Sequence, residues 1–194
     1  MADKSTLLEA IAGSNRGLLA SDVDHQAILT AIAELEAQNP TPSPINAVDM
    51  LNGNWRLLYT TSDDLLRLDQ IPLLKLGQVY QCIRARDAKL YNIAEIVGIP
   101  FSAGIFSVAA SFKPVSEKRV DVNFERTIIG FQGLMNYRSP DEFIHRLESG
   151  EKFTAIDVAI NNRDRQGWLD ITYLDSNLRI GRGNVGSIFV LTKV

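Results

Sequence analysis

The chain has 194 residues, of which 45% are apolar and 22% charged, which fits one globular domain with or without a short appendage. Twenty Lys and Arg stand against 23 Asp and Glu, and this net charge of −3 argues against nucleic-acid binding, which usually needs a basic excess. A single cysteine, Cys82, excludes an internal disulfide framework and a Cys-rich zinc site. His25 and His145 form no metal-binding pair, so we expect both to be solvated and no metal centre to be present.

The first part of the chain follows a helical period. Two helices are predicted, with apolar stripes formed by Leu7, Leu8 and Ile11 in the first and by Ile28, Ile32 and Leu35 in the second. Gly13 is a plausible stop for the first helix, and Ser21 with Asp24 three residues later predicts a capping box at the start of the second. Alternate prolines end that helix before Pro44. We therefore expect residues 1–44 to form two helices and a Pro-rich connector that pack on the remainder.

After Pro44 the apolar period changes from 3.6 to 2, which is typical of strands. Eight short strands are predicted, at residues 55–61, 79–84, 90–97, 106–112, 120–128, 168–174, 178–182 and 186–192. Ser139 and Pro140 begin one short helix before the last strands. Residues 45–194 are thus expected to form a mainly β, antiparallel barrel or sandwich of about eight strands. A barrel of that size can hold one small apolar ligand.

Three motifs that could indicate catalysis or nucleotide binding have simpler explanations. Residues 181–186 match G-x-G-x-x-G, but a strand and not a helix is predicted to follow, so we expect a Gly-rich hairpin. No G-x-S-x-G nucleophile elbow occurs. Asp63 and Asp64 are adjacent and are expected to cap a short helix rather than to face each other across a cleft. We expect no catalytic residues and no cofactor.

Two further features bear on a ligand site. Gly53-x-Trp55 at the start of the first strand resembles the signature of lipocalin-type barrels, in which the Trp closes one end and packs against a basic residue from a late strand. Arg179 and Arg182 are the candidates for that residue; a core Trp without wider meaning is the alternative. The apolar stretch 97–106 carries turn formers and is expected to be a loop, either at a pocket mouth or membrane edge or folded over the core.

Several stretches together resemble one family. They are L-L-E-A at 7–10, N-R-G at 15–17, L-N-G-N-W-R-L-L-Y-T-T-S at 51–62, G-Q-V-Y-Q at 77–81, and the run from G-W-L-D-I-T-Y-L-D at 167–175 to G-S-I-F-V-L at 186–191. On these the chain is similar to the plastid lipid-associated proteins, also called plastid fibrillins or plastoglobulins, of the cyanobacterial type.

That resemblance implies a lipocalin-like barrel that binds a hydrophobic small molecule such as a fatty acid, an isoprenoid or quinone precursor, or a carotenoid. It also implies peripheral association with thylakoids or lipid bodies, a role in photoprotection or lipid homeostasis, and no catalytic set. The N-terminus does not look like a transit peptide, which suits a cyanobacterial cytoplasm. Residues 158–165 are more charged than this resemblance leads one to expect, so we assign no ligand contact there.

An inward-facing stripe can be drawn through the predicted barrel. The expected ligand-binding residues are Trp55, Tyr59, Phe106, Phe112 and Phe124, with Arg179 or Arg182 meeting a carboxylate or diphosphate head at the mouth and the other arginine stacking on Trp55. Period-2 patterning does not separate a lined cavity from a filled core. One alternative is a scaffold that docks a membrane or protein partner through the 99–106 loop and the N-terminal helices. A second is an enzyme acting on a bound pigment, for which the sequence shows no acid–base pair.

Overall fold

The N-terminal helices form where the sequence predicts them. The computed structural model describes residues 3–63, 75–98, 103–160 and 166–194. Helix α1 spans Lys4–Ile11 and helix α2 spans Asp22–Ala37. The predicted capping box of α2 is confirmed, since the hydroxyl of Ser21 accepts from the backbone N–H of Asp24 while the Asp24 carboxylate accepts from that of Ser21. Within the described ranges no helix is both long and apolar enough to span a bilayer.

The remainder of the described chain forms a closed antiparallel barrel. Its strands are β1 (Gly53–Thr60), β2 (Lys75–Arg84), β3 (Lys89–Val97), β4 (Gly104–Pro114), β5 (Arg119–Phe131), β6 (Ile156–Ala159), β7 (Gln166–Leu174), β8 (Leu178–Gly183) and β9 (Ile188–Lys193). Eight of them close in the order β1-β2-β3-β4-β5-β7-β8-β9, and β6 pairs with the last part of β5, beyond the reach of β7. The predicted mainly β barrel of about eight strands is therefore confirmed.

Within the described residues two short helices accompany the barrel. Helix α4 (Pro140–Glu148) begins at its Ser139 cap as predicted. Helix α3 (Val48–Leu51) is not predicted by the sequence pattern, and neither is β6. Helix α3 and a 3-10 turn over Pro44–Asn46 cover the end of the barrel at which β1 begins, where the Ile45 N–H donates to the Glu117 carbonyl (3.1 Å). We call this the closed end; the opposite end, where β4 begins, is the mouth.

Three apolar clusters hold the fold together, and the barrel wall separates them. The interior cluster is formed by residues that include Leu51, Trp55, Leu57, Val79, Leu90, Val122, Leu169, Ile171 and Leu191. A second cluster joins α1 and α2 to the outer faces of β1, β7, β8 and β9. A third places α4 on the outer faces of β2 to β5. Burial of these three faces is the dominant favourable contribution to folding.

His25 departs from its predicted place. We expect it to be solvated on the polar side of α2, but it is half-buried, and its Nδ1 lies 2.7 Å from the hydroxyl of Tyr59 on β1. The helical period places His25 away from the main apolar stripe but cannot show that a strand tyrosine reaches it. His145 on α4 is exposed, as predicted. Two predictions depend on residues outside the described ones. The Asp63–Asp64 cap depends on Asp64, and the apolar loop depends on residues 99–102.

Candidate functional site

Five of the seven predicted ligand-binding residues face the barrel interior. Trp55 is part of the interior cluster, and Phe106, Phe112 and Phe124 pack against it. The three phenylalanines are only half-buried, as is Phe189 of β9. Where a ring faces the inside of a closed barrel and is still partly exposed, it borders space that a solvent molecule can reach. These rings therefore line the candidate site.

Trp55 forms the floor of the site at the closed end. Its ring is fully buried, and its indole Nε1 donates to the Leu51 carbonyl (2.9 Å) at the end of α3. Lys193 lies over the ring, with Nζ 5.3 Å from the ring centroid, and donates to the Met50 carbonyl (2.7 Å). Gly53 has φ +129°, and a Cβ there would lie 3.0 Å from Lys193 Cε. The glycine of the Gly-x-Trp motif thus has a local cause. The backbone at residue 53 adopts φ > 0, and Lys193 leaves little room there for a side chain.

Arg179 lies directly above this floor. Arg179 of β8 is directly opposite Leu191 of β9, and Leu191 is directly opposite Leu57 of β1. Directly opposed residues in an antiparallel sheet point to the same face, so Arg179 shares the face of Leu57. Its guanidinium carbon is 5.1 Å from the centroid of the Trp55 ring. The side chain is 1% exposed, and its alignment with Leu191 and Leu57 of the interior cluster places it inside the barrel. The prediction that a basic residue of a late strand packs on Trp55 is met by Arg179.

The hydrogen bonds of Arg179 are incomplete. Its Nη2 donates to Gln81 Oε1 (2.5 Å), and Gln81 Nε2 donates in turn to Asn92 Oδ1 (3.1 Å), so three polar side chains form a chain inside the barrel. Nε and Nη1 of Arg179 are buried and have no hydrogen-bond partner among the described residues. No Asp or Glu of the described chain forms an ion pair with it. Burial lowers the pKa of Arg179 to about 9, which still leaves the guanidinium charged at neutral pH.

Two predicted residues lie outside the interior. A register shift between Leu57 and Tyr59 in the pairing of β1 with β9 turns Tyr59 outward, where it joins the cluster beneath α1 and α2. Burial raises the pKa of its hydroxyl. Arg182 is on the outer face of β8, and its Nε and Nη2 each lie 2.8 Å from a carboxylate oxygen of Glu36 on α2. The expectation that Tyr59 and Arg182 face the interior is therefore wrong.

The mouth of the barrel carries an apolar surface that sequence reasoning missed. We call it the apolar rim; it consists of Ile129, Phe131, Leu134, Ile156 and Val158, which are between 41% and 65% exposed. Ile129 pairs with Phe106 on one side and with Ile156 on the other, so the rim continues the face that lines the interior. The alternating apolar residues of β5 indicate one such face, but only the pairing with β6 shows how far it extends.

Comparison with known proteins supports the resemblance stated above. Residues 1–192 match the PAP_fibrillin family. The chain is 34% identical to "Light-induced protein, chloroplastic" of Solanum tuberosum, over 98% of this chain and 66% of that protein. It is also 34% identical to "Chromoplast-specific carotenoid-associated protein C1, chromoplastic" of an Oncidium hybrid cultivar, and to "Plastoglobulin-1, chloroplastic" of Pisum sativum, over 98% of this chain and 68% and 60% of those proteins.

The match thus spans about two thirds of the length of these relatives. No solved structure matches the chain. The agreement over nearly the whole sequence, together with the closed barrel and its Gly-x-Trp floor, shows that the chain belongs to the PAP_fibrillin family of plastid lipid-associated proteins.

Proposed function

We propose that this protein binds one hydrophobic small molecule inside the barrel, without catalysing a reaction on it. The observation that carries the proposal is the half-buried state of the inward-facing rings of Phe106, Phe124 and Phe189. Burying an alkyl chain contributes ~0.8 kcal/mol per methylene, so ten methylenes supply ~8 kcal/mol, which corresponds to a Kd of ~1 μM before the cost of ordering the ligand.

The relatives suggest the chemical class. Their names refer to plastid lipids, to carotenoids and to plastoglobules. A fatty acid, an isoprenoid or quinone, and a carotenoid are the candidates, and the proposed setting is the surface of thylakoid membranes or lipid bodies, with a role in photoprotection or lipid homeostasis.

The proposal is tested by titrating the protein with cis-parinaric acid, a fluorescent fatty acid. Two variants change the interior. Val108 is directly opposite Asn92 and therefore on the same inner face, so Val108→Trp fills space beside Phe106, and Phe124→Arg introduces a charge. The matched control is Val23→Trp, because Val23 on α2 is 78% exposed. We expect one saturable site per chain in the wild type and in the control, and at least tenfold weaker binding in both interior variants. Binding that does not saturate, or that Val108→Trp leaves unchanged, would rule out an interior site.

A second candidate function is docking on a lipid surface, and the apolar rim favours it. Four exposed apolar side chains share one face of β5 and β6, and Leu134 lies in the turn that follows β5, which is more than the isolated apolar residues found on most protein surfaces. Because the rim is continuous with the interior lining, a rim seated on a lipid monolayer would allow a ligand to pass between the lipid and the barrel. The other segment predicted to dock on a membrane or partner, residues 99–106, includes residues 99–102, which lie outside the described residues.

Flotation with triolein droplets coated with phosphatidylcholine tests this second function. Phe131→Asp and Ile156→Asp place charges in the rim, and Val23→Asp is the control at an exposed apolar position of α2, outside the rim. The wild type and the control should float with the droplets, and the two rim variants should remain largely in the aqueous fraction. Equal flotation of all four proteins would contradict docking through the rim.

A further inference from the structure

The barrel interior contains a cation without a counter-ion. Arg179 is 1% exposed, has no carboxylate partner in the described parts of the chain, and leaves Nε and Nη1 without hydrogen bonds. Buried arginines are normally paired because an isolated charge in apolar surroundings is costly. Apart from the Gln81 amide, the neighbours placed by strand pairing and by the ring contact are apolar: Leu57, Leu191 and the face of Trp55. The arrangement is therefore complementary to an anion that enters from outside the chain.

We propose that Arg179 binds the carboxylate of a long-chain fatty acid, which lies head inward with its tail directed to the mouth. This inference rests on the proposed function and specifies the ligand class and its orientation. The guanidinium lies one layer above the Trp55 floor, so a head group there is at the bottom of the barrel. From that level the lining continues through Phe189 and Phe106 to Ile129 of the rim, which suits an alkyl chain.

The number of charges favours a carboxylate over a diphosphate. Arg179 supplies one full charge, which matches the single charge of a carboxylate, and its unpartnered Nε and Nη1, on two different edges of the guanidinium, each leave an N–H to donate to a carboxylate oxygen. The other cation nearby, Lys193, lies against the Trp55 ring and already donates to the Met50 carbonyl, on the side of the floor that α3 covers. A diphosphate would bring more negative charge to the interior than Arg179 can neutralise.

Gln81 has a positioning role in this arrangement. It faces Trp55 directly across β1 and β2, and it accepts from Arg179 while donating to Asn92. These two bonds hold one edge of the guanidinium against the wall of β2. The remaining nitrogens are then left for a ligand without any rearrangement of the side chain.

The test compares cis-parinaric acid with its methyl ester, which has the same tail but no charge. We expect the wild type to bind the acid at least tenfold more tightly than the ester. Arg179→Met should reduce that ratio to about one by weakening acid binding alone. Arg182→Met, which removes an arginine of the same strand on the outer face, should keep the wild-type ratio. Equal binding of acid and ester by the wild type overturns the carboxylate inference but leaves the interior site standing, whereas no binding of either probe overturns both.

A second measurement needs no variant, in case Arg179→Met does not fold. Palmitate labelled with ¹³C at the carboxyl carbon is bound to the wild-type protein, and its resonance is followed with pH. A carboxylate beside a buried guanidinium titrates at least one pH unit below the ordinary range of about 4 to 5. A midpoint within or above that range would place the head group away from Arg179 and contradict the proposal. A prenyl diphosphate that displaces the labelled palmitate at lower concentration than unlabelled palmitate does would also contradict it.

Discussion

The guanidinium of Arg179 stacks 5.1 Å from the centre of the Trp55 ring, and both side chains are almost wholly buried. The pair connects the floor of the barrel to its polar interior chain, since Arg179 also bonds Gln81. Among the described residues, this buried charge makes one cation–π contact, with Trp55, and one hydrogen bond, to Gln81. A buried charge with so few partners is weak evidence for stability, because desolvation offsets what these contacts contribute.

Removing the polar pair should stabilise the ligand-free barrel. Replacing buried charged groups by apolar ones of similar volume is often stabilising by ~1–4 kcal/mol. We therefore expect the double variant Arg179→Met/Gln81→Leu to have a higher free energy of unfolding in urea than the wild type. In this variant Asn92 no longer accepts a hydrogen bond from Gln81, but Asn92 is half-buried and can bond to solvent instead. A lower free energy of unfolding would indicate that the pair is needed for the fold itself.

Phe124 should be less important for stability than a phenylalanine in a filled core. Phe143 of α4 is 1% exposed in the cluster beneath that helix, and its replacement by Ala should cost ~3–5 kcal/mol. Phe124 is only half-buried, so Phe124→Ala removes fewer contacts and should cost less than half as much. Chemical denaturation of the two variants gives the comparison directly. Equal losses of stability would mean that the interior is packed with its own side chains.

Gly53 should tolerate no side chain. Gly53→Ala forces a Cβ to 3.0 Å from Lys193 Cε at φ +129°, and strain of this kind costs ~1–3 kcal/mol. Gly133→Ala is the control, because a Cβ there has no atom within 4 Å. We expect the unfolding midpoint in urea to fall for Gly53→Ala and to change little for Gly133→Ala. If both variants matched the wild type, the Gly-x-Trp motif would need another explanation.

The attachment of β6 should depend on pH. Arg126 Nε and Nη2 lie 2.7 and 2.5 Å from the two carboxylate oxygens of Asp157, and this interaction lowers the pKa of Asp157. A carboxyl whose pKa is lower in the folded state contributes stability above its unfolded pKa of about 3.9, and that contribution is lost as the pH falls through the folded value. The pairing of β6 with β5 should therefore be intact at neutral pH and weaken below about pH 4.

Asp157→Asn produces the same weakening at neutral pH. The ion pair is part-exposed, so the expected loss is at most ~1 kcal/mol. Amide hydrogen exchange at residues 157–159 should become a few times faster, while Asp121→Asn, a change at an exposed position of β5 outside its pairing with β6, should leave it unchanged. Unchanged exchange in Asp157→Asn would show that backbone pairing alone holds β6.

The sequence pattern predicts most of this fold because period-2 alternation and helix caps are local signals. The eight barrel strands, α1, α2 and α4 all follow from them. What the pattern misses depends on pairing between distant segments. The register shift after Leu57 reverses the face of Tyr59, and β6 is recognisable only through its partner β5.

The sequence pattern separates Arg179 from Arg182 but does not show which of them faces the interior. Arg179 and Arg182 are three residues apart in a strand, so they must face opposite sides of the sheet, and only one can be inside. Alternation alone therefore separates them. Which of them faces inward is decided by the pairing of Arg179 with Leu191. The polar chain to Gln81 and Asn92 also depends on register and has no signal in the sequence.

The most direct test of the interior site is an isotope-filtered NOE spectrum of ¹³C-labelled protein with unlabelled palmitate. We expect contacts from the acyl chain to the methyl groups of Leu57, Val108 and Leu191, deep in the barrel. Contacts confined to the rim methyl groups of Ile129, Ile156 and Val158 would contradict this expectation and would place the lipid on the outside of a closed protein.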